Sequence, residues 1–250
     1  GSEMCIRDRI SLRRGSRRVD FDTTIDWQES HKLLKVAFPV NIHADEAIHE
    51  VQFGHIRRPN HQSRPFDADR FEVSNHKWTA LAEENCGCAV LNDCKYGVNV
   101  LGNSINLTLL KSALAPDMTA DKGQQEFVYA FYSWNGSFAD SRLVQEAYEL
   151  NCPVMTVLGA AGQASLFSLD APNVVIEAVK LAEDDYNDII VRLYEAGRMT
   201  THCVLTTSLP VCGVGQTNML EREEKPLSHR AGKIPLEFRP FEIKTLRLHF

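Results

Sequence analysis

Apolar and polar positions alternate along much of this chain of 250 residues, and the alternation predicts strands. Ile48-His-Glu-Val-Gln-Phe-Gly54 and Phe241-Glu-Ile-Lys-Thr-Leu-Arg-Leu248 carry the period of two that a half-buried strand requires. Further β-rich runs lie at 25–27, 31–40, 71–73, 89–91, 105–110 and 127–132, then at 174–179, 189–194, 202–205 and 234–238. Residues 57–69 form a polar loop with Pro59 and Pro65, and Asn103-Ser104 and Asn135-Gly136 mark turns. One helix is predicted over 141–150, where Leu143, Val144, Ala147 and Leu150 share a face and Asn151 and Pro153 follow. Many short strands separated by turns predict a mainly β fold of sandwich type. Small residues from Gly159 to Ala164, closed by Pro172, predict a hinge over 159–172. It separates a large β region at 19–158 from a small one at 173–250.

Composition changes this picture at one end of the chain. The protein is 44% hydrophobic, enough for a sizeable core, and its formal net charge is −6. Residues 1–18 hold six arginines against Glu3 and Asp8, so the other 232 residues carry a formal −10. An acidic body argues against nucleic acid as a partner. Residues 1–18 lack apolar periodicity and read as a non-native or disordered leader outside the fold. No run of 18 apolar residues predicts a membrane span. The seven cysteines are odd in number and scattered, which fits free thiols in a reducing, cytoplasmic compartment. Cys86, Cys88 and Cys94 lack the second pair that a structural zinc site needs, so no metal is assigned to them.

The segment Gly87-Cys-Ala-Val-Leu-Asn-Asp-Cys-Lys-Tyr-Gly97 carries the most chemistry. A short apolar run breaks into Asn92, Asp93, Lys95 and Tyr96, which together offer an amide, a carboxylate, an amine and a phenol. Such groups suit a polyhydroxylated ligand. The same residues also make an ordinary capped turn. His76-Lys77-Trp78 poses a similar choice, since Trp78 either stacks on a sugar face or fills the core.

Six motifs in order resemble one family: residues 31–40, Val51-Gln-Phe-Gly54, Phe71-Glu-Val73 with His76-Lys77-Trp78, Leu91-Asn-Asp-Cys-Lys-Tyr-Gly97, Ala115-Pro-Asp117 and Phe241-Glu-Ile-Lys-Thr-Leu246. From Val19 to Phe250 the chain resembles the C-terminal half of the α-mannosidases of glycoside hydrolase family 38, on the cytosolic and bacterial branch. The resemblance implies a large galactose-mutarotase-like supersandwich followed by a small C-terminal β-sandwich. It implies a retaining hydrolase of α-mannoside oligosaccharides whose two carboxylates and divalent metal, zinc or cobalt, belong to a preceding catalytic domain. No catalytic residue, metal ligand or cofactor is therefore expected on this chain, which alone should be inactive. His43-Ala-Asp45 copies a His-x-Asp spacing without a partner motif and is not taken as a ligand pair.

What the resemblance leaves to these residues is contact. Asn92, Asp93, Lys95, Tyr96, His76 and Trp78 are the candidate substrate-binding residues, equally readable as a seal against the catalytic domain. The expected partners are that domain, the oligosaccharide and a second copy in a homo-oligomer. Thr79-Ala80 stands where relatives often carry aspartate after the Trp, Lys111 where they tend to have arginine, and Cys88 where an aromatic is usual. A lysine is the less directional donor. Two other classes stay open: a stand-alone carbohydrate-binding or scaffolding module, and an aldose-1-epimerase-like enzyme by analogy of fold alone.

Overall fold

The computed structural model describes residues 5–159, 162, 164–185 and 187–250. The chain divides into two compact units, Gly1–Met155 and Thr156–Phe250. Residues 1–4 of the expected leader and residues 160, 161 and 163 of the expected hinge lie outside the described residues.

The first unit contains β1 (Cys5–Leu12), β2 (Arg18–Trp27), β3 (Leu33–Pro39), β4 (Glu46–Val51), β5 (Gly54–Pro59), β6 (Val73–Ser74), β7 (Trp78–Ala82), β8 (Cys86–Asn92), β9 (Gly97–Leu101), β10 (Ser104–Lys111) and β11 (Gly123–Asn135). Helix α1 follows at Leu143–Asn151. A seven-stranded sheet runs β1-β2-β11-β8-β7-β4-β5, and a four-stranded sheet runs β3-β10-β9-β6. Side chains from both, among them Ile25, Leu81, Val90, Ile105, Leu107 and Phe127, pack into one core. The opposite face of the large sheet buries Trp78, Ala89, Leu91, Ala130 and Trp134 with Leu143 and Ala147 of α1. β8 is therefore covered on both faces, which is why its sequence is a continuous apolar run rather than an alternation. Each fully buried large side chain stabilises the unit by about 1.5–3 kcal/mol. Gly87 is demanded by this packing: a Cβ there would lie 2.1 Å from the ring of Trp134, its partner across the β8–β11 ladder.

The leader expectation needs correction. Cys5–Leu12 pairs with β2 in full register, from Cys5 opposite Asp26 to Leu12 opposite Val19. Every side chain of β1 is exposed, so backbone hydrogen bonds hold it and no apolar period marks it. Arg18, also assigned to the leader, is buried. It donates to Asp20 Oδ1 at 2.7 Å, to the Glu146 carbonyl at 2.7 Å and to Glu146 Oε2 at 3.1 Å, tying β2 to α1.

The second unit contains β12 (Phe167–Leu169), β13 (Val174–Leu181), β14 (Ile189–Glu195), β15 (Thr201–Thr207), β16 (Gly213–Thr217), β17 (Lys225–Pro226), β18 (Lys233–Phe238) and β19 (Ile243–His249). Sheets β12-β15-β18 and β13-β14-β19-β16-β17 enclose Leu193, Leu205, Ile234, Phe238, Leu246 and Leu248. β12 occupies part of the stretch expected as a hinge. The mainly β, two-sandwich fold class expected from the sequence is the observed one.

Candidate functional site

The end of β8 is a dense polar knot. Asn92 has no exposed surface, and its carboxamide is fully engaged. Its Nδ2 donates to the His76 carbonyl at 2.7 Å and to Asn75 Oδ1 at 3.0 Å, while its Oδ1 accepts from the Lys95 N–H at 2.8 Å. Its backbone N–H donates to the Lys77 carbonyl at 3.0 Å, and its carbonyl accepts from Asn151 Nδ2 at 3.1 Å. Asn151 also donates to the Ala147 carbonyl at 2.9 Å, so the residue that stops α1 also ties the helix to β8. Asp93 exchanges with Val128 on β11: its Oδ2 accepts from the Val128 N–H at 2.9 Å and its own N–H donates to the Val128 carbonyl at 3.1 Å. These contacts fix the turn and leave the Asn92 amide no spare donor.

Accessible groups lie just beyond. Tyr96 is 53% exposed, and its carbonyl accepts from both the N–H and the Nδ2 of buried Asn75, at 2.9 and 3.1 Å. Its ring stands 5.3 Å from that of half-buried His76, whose Nε2 lies 3.2 Å from Gln52 Nε2. Lys95 places its Nζ 4.4 Å over the Phe127 ring, a cation–π contact. Trp78 is only 1% exposed and packs near His55 and Phe138, with centroids at 6.1 and 5.7 Å, so neither ring face is open. Of the six candidates, the structure therefore brings His76 and Tyr96 together at the surface and Lys95 close by in sequence. It uses Asn92 and Asp93 to hold the turn, and Trp78 to fill the core.

Two residues that sequence reasoning passed over complete the knot. Glu50 is buried, and its carboxylate accepts from the Lys77 N–H at 2.7 Å and from Lys77 Nζ at 3.0 Å. Lys77 Nζ also sits 4.7 Å over the Tyr148 ring of α1. Asn75 is the other. The only available signal was a polar residue inside or beside an apolar run, which is shared by many exposed positions.

The remaining chemistry on this unit is muted. Burial and then the Arg58 charge lower the His49 pKa to about 3, and its Nδ1 lies 3.1 Å from Thr79 Oγ1. A neutral, enclosed imidazole is a poor acid–base group. Burial pushes the Cys88 thiol up to about 12, and β8 separates Cys86 from Asn92 by about 20 Å. Cys94 therefore cannot share an ion with Cys86, and Cys88 is not a thiolate at neutral pH. His43 is exposed and donates its N–H to Glu83 Oε1 at 2.7 Å. Among the described residues no three His, Cys, Asp or Glu side chains gather as metal ligands would.

This surface offers hydrogen bonds and an aromatic edge. The model described as "Glycosyl hydrolases family 38 C-terminal domain" matches residues 2–119, and "Glycosyl hydrolases family 38 C-terminal beta sandwich domain" matches 173–246. The chain is 42% identical to human Alpha-mannosidase 2C1 and 37% identical to Alpha-mannosidase G of Dictyostelium discoideum, across 92% and 97% of its own length. It spans 23% of the length of each of these relatives. An α-mannosidase from Enterococcus faecalis V583 shares the fold at a TM-score of 0.79 and 22% identity, over 97% of this chain and 28% of that one. With two successive family domains matched and extended identity to the mannosidases, the chain belongs to glycosyl hydrolase family 38, as its C-terminal β region.

Proposed function

We propose that this chain is the β region of an α-mannosidase that removes α-linked mannose from oligosaccharides with retention. The observation that carries this is the identity to mannosidases along nearly the whole chain, 42% over 239 residues in the human relative. In this reading the nucleophilic and acid/base carboxylates and the divalent metal belong to a preceding catalytic domain. No step of the reaction is assigned to residues of this chain. Its part is to buttress that domain and to line the edge of the cleft. Tyr96, His76 and Lys95 are the side chains able to touch sugar there, because Asn92, Asp93 and Trp78 are committed to the fold. Seven unpaired cysteines support a reducing, cytoplasmic setting.

The test is an aryl α-mannoside assay on the purified chain, alone and mixed with the region encoded upstream. The chain alone should give no turnover, and detectable turnover by it alone would overturn the reading. Titration calorimetry with mannose and short mannosides provides the second arm. Binding tighter than about 1 mM would favour a stand-alone carbohydrate-binding module instead.

A further inference from the structure

The outer face of the β3-β10-β9-β6 sheet, on the side away from the core, carries a groove of about 700 Å³. Its walls include Leu33, Phe71 and Leu114, which are 51%, 71% and 48% exposed. Single exposed apolar side chains are ordinary, but three large ones converging on a concavity mark an interaction surface.

The floor of the groove is polar but closed on itself. Lys35 Nζ lies 2.5 Å from Glu72 Oε2 and 2.9 Å from Thr108 Oγ1, and the Thr108 hydroxyl donates to Glu72 Oε1. Both carboxylate oxygens are thus taken. Gly97 keeps the floor open, since a Cβ there would stand 2.9 Å from Glu72 Oε1 and 3.2 Å from Thr108 Cβ. The rim is different. His31, Lys32 and Lys111 border the groove, and among the described residues neither lysine takes part in an ion pair. The nearby Asp121 carboxylate accepts from the Lys111 N–H, at 2.7 Å, and makes no ion pair with the Lys111 ammonium among the described residues.

An apolar trough whose rim carries two lysines outside any ion pair selects its occupant. A sugar would find the polar floor already satisfied. A second copy docking through the same face would set lysine against lysine. An apolar segment bearing carboxylates satisfies both trough and rim. The match spans only 23% of the relatives' length, so most of their chain lies outside this region and can supply such a segment. We propose that polypeptide preceding this region packs an apolar, carboxylate-bearing segment into the groove. The inference rests on the reading above, that the chain is part of a longer mannosidase.

The test is co-purification of the full 250-residue chain with the tagged polypeptide encoded upstream in its own gene. Phe71→Glu and Leu114→Glu should each cut recovery about tenfold or more, and Lys32→Glu with Lys111→Glu should weaken it and flatten its salt dependence. Leu220→Glu, an exposed apolar site in the second unit, should leave recovery unchanged. Circular dichroism must show each variant folded, as expected for exposed positions. Equal recovery of wild type and both groove variants would overturn the groove and leave the mannosidase reading standing. No recovery of wild type, or no upstream coding region, would overturn both. A dimer of the chain alone that Phe71→Glu dissociates would overturn the proposal in favour of a second copy.

Discussion

Asn92 at the end of β8 and Glu195 at the end of β14 are both fully buried polar residues, and they do the same kind of work. Asn92 joins three segments of the first unit through its carboxamide and backbone. Glu195 does so in the second: its Oε1 accepts from the Gly197 N–H at 2.6 Å and from Asn173 Nδ2 at 2.9 Å, and its Oε2 from the N–H groups of Phe241 at 3.0 Å and Met199 at 3.2 Å. Both satisfy loop donors that would otherwise be orphaned. Yet the segment around Asn92 drew attention as a ligand site and Glu195 drew none. The difference lies in neighbours: Asn92 stands among other polar residues in the sequence, while Glu195 closes the apolar run of β14. A crowd of polar side chains resembles a binding site even when its first member is a structural tie. Glu50 and Glu195 extend the contrast, since the first meets a lysine and the second is held by neutral donors alone.

The comparison is best broken at Glu195. Glu195→Ala removes the acceptor shared by four part-buried donors, of which Asn173 Nδ2 keeps another partner, Thr201 Oγ1, and should destabilise the second unit by about 3–5 kcal/mol. Hydrogen exchange should show early opening at Gly197, Met199 and Phe241, while the first unit keeps its protection. If Glu195 is as ordinary as its sequence suggests, the amides will not change.

Asn92→Ala removes one carboxamide from the equivalent knot, and about 2–3 kcal/mol should be lost from the first unit. Urea unfolding followed by tryptophan fluorescence will report it, because all three tryptophans lie in that unit. A change below about 0.5 kcal/mol would return Asn92 to the list of free ligand groups.

A smaller effect is expected at the end of β19. His249 lies between Glu224, 2.6 Å from its Nε2, and Asp188, 2.9 Å from its Nδ1. The Glu224 hydrogen bond above all, together with the two negative charges, raises the imidazole pKa above its usual value. Burial alone would raise the Asp188 carboxyl, but hydrogen bonding to Arg247 and the charges of His249 and Arg247 hold it below the usual range. A raised histidine contributes stability that is fully present below its unfolded pKa of about 6.5 and is lost as pH climbs through the folded value. Wild-type melting temperature should therefore fall more between pH 6 and 9 than that of His249→Asn. Parallel curves would remove the histidine from the account.

Tyr96 forms the other side of the contrast with Asn92. Tyr96→Ala should change stability by no more than about 0.5 kcal/mol, since its ring is half exposed. In the chain recombined with its upstream region, the same variant should raise KM for an oligosaccharide while leaving the melting temperature in place.

Much of the architecture is legible in the sequence. β8, β10, β11, β14, β18, β19 and the helix all coincide with apolar runs or periodic stretches of suitable length, whereas the stretch 48–54, expected as one half-buried strand, holds the end of β4, the turn at 52–53 and the start of β5, with residues 47–50 buried in succession. The strands that escaped notice did so for different reasons. β1 has no buried side, so nothing in its side chains marks it. β16 carries Gly213 and Gly215, residues of low strand propensity, yet a Cβ at Gly215 would strike Glu224 at 2.0 Å. β7 and β9 are short, and β7 buries Trp78, Thr79, Ala80 and Leu81 in succession without alternation. The candidate site was less legible. Residue type named six positions, but the distinction between Asn92 or Trp78 inside and Tyr96 or His76 outside depends on burial.

The sequence by itself determined the mainly β class, the helix that stops at Asn151 and membership of a glycosidase family, because periodicity and ordered motifs are properties of the chain. Only the tertiary structure decided which polar groups remain free. Hydrogen bonds between Asn92, Asn75 and Asn151, or between Glu195 and Phe241, join residues far apart in the chain, and their donors and acceptors are spent only once the strands are brought together. The apolar groove beside Phe71 was hidden for the same reason. Its walls come from β3, from the bend before β6 and from the loop after β10, and they meet only in the folded sheet.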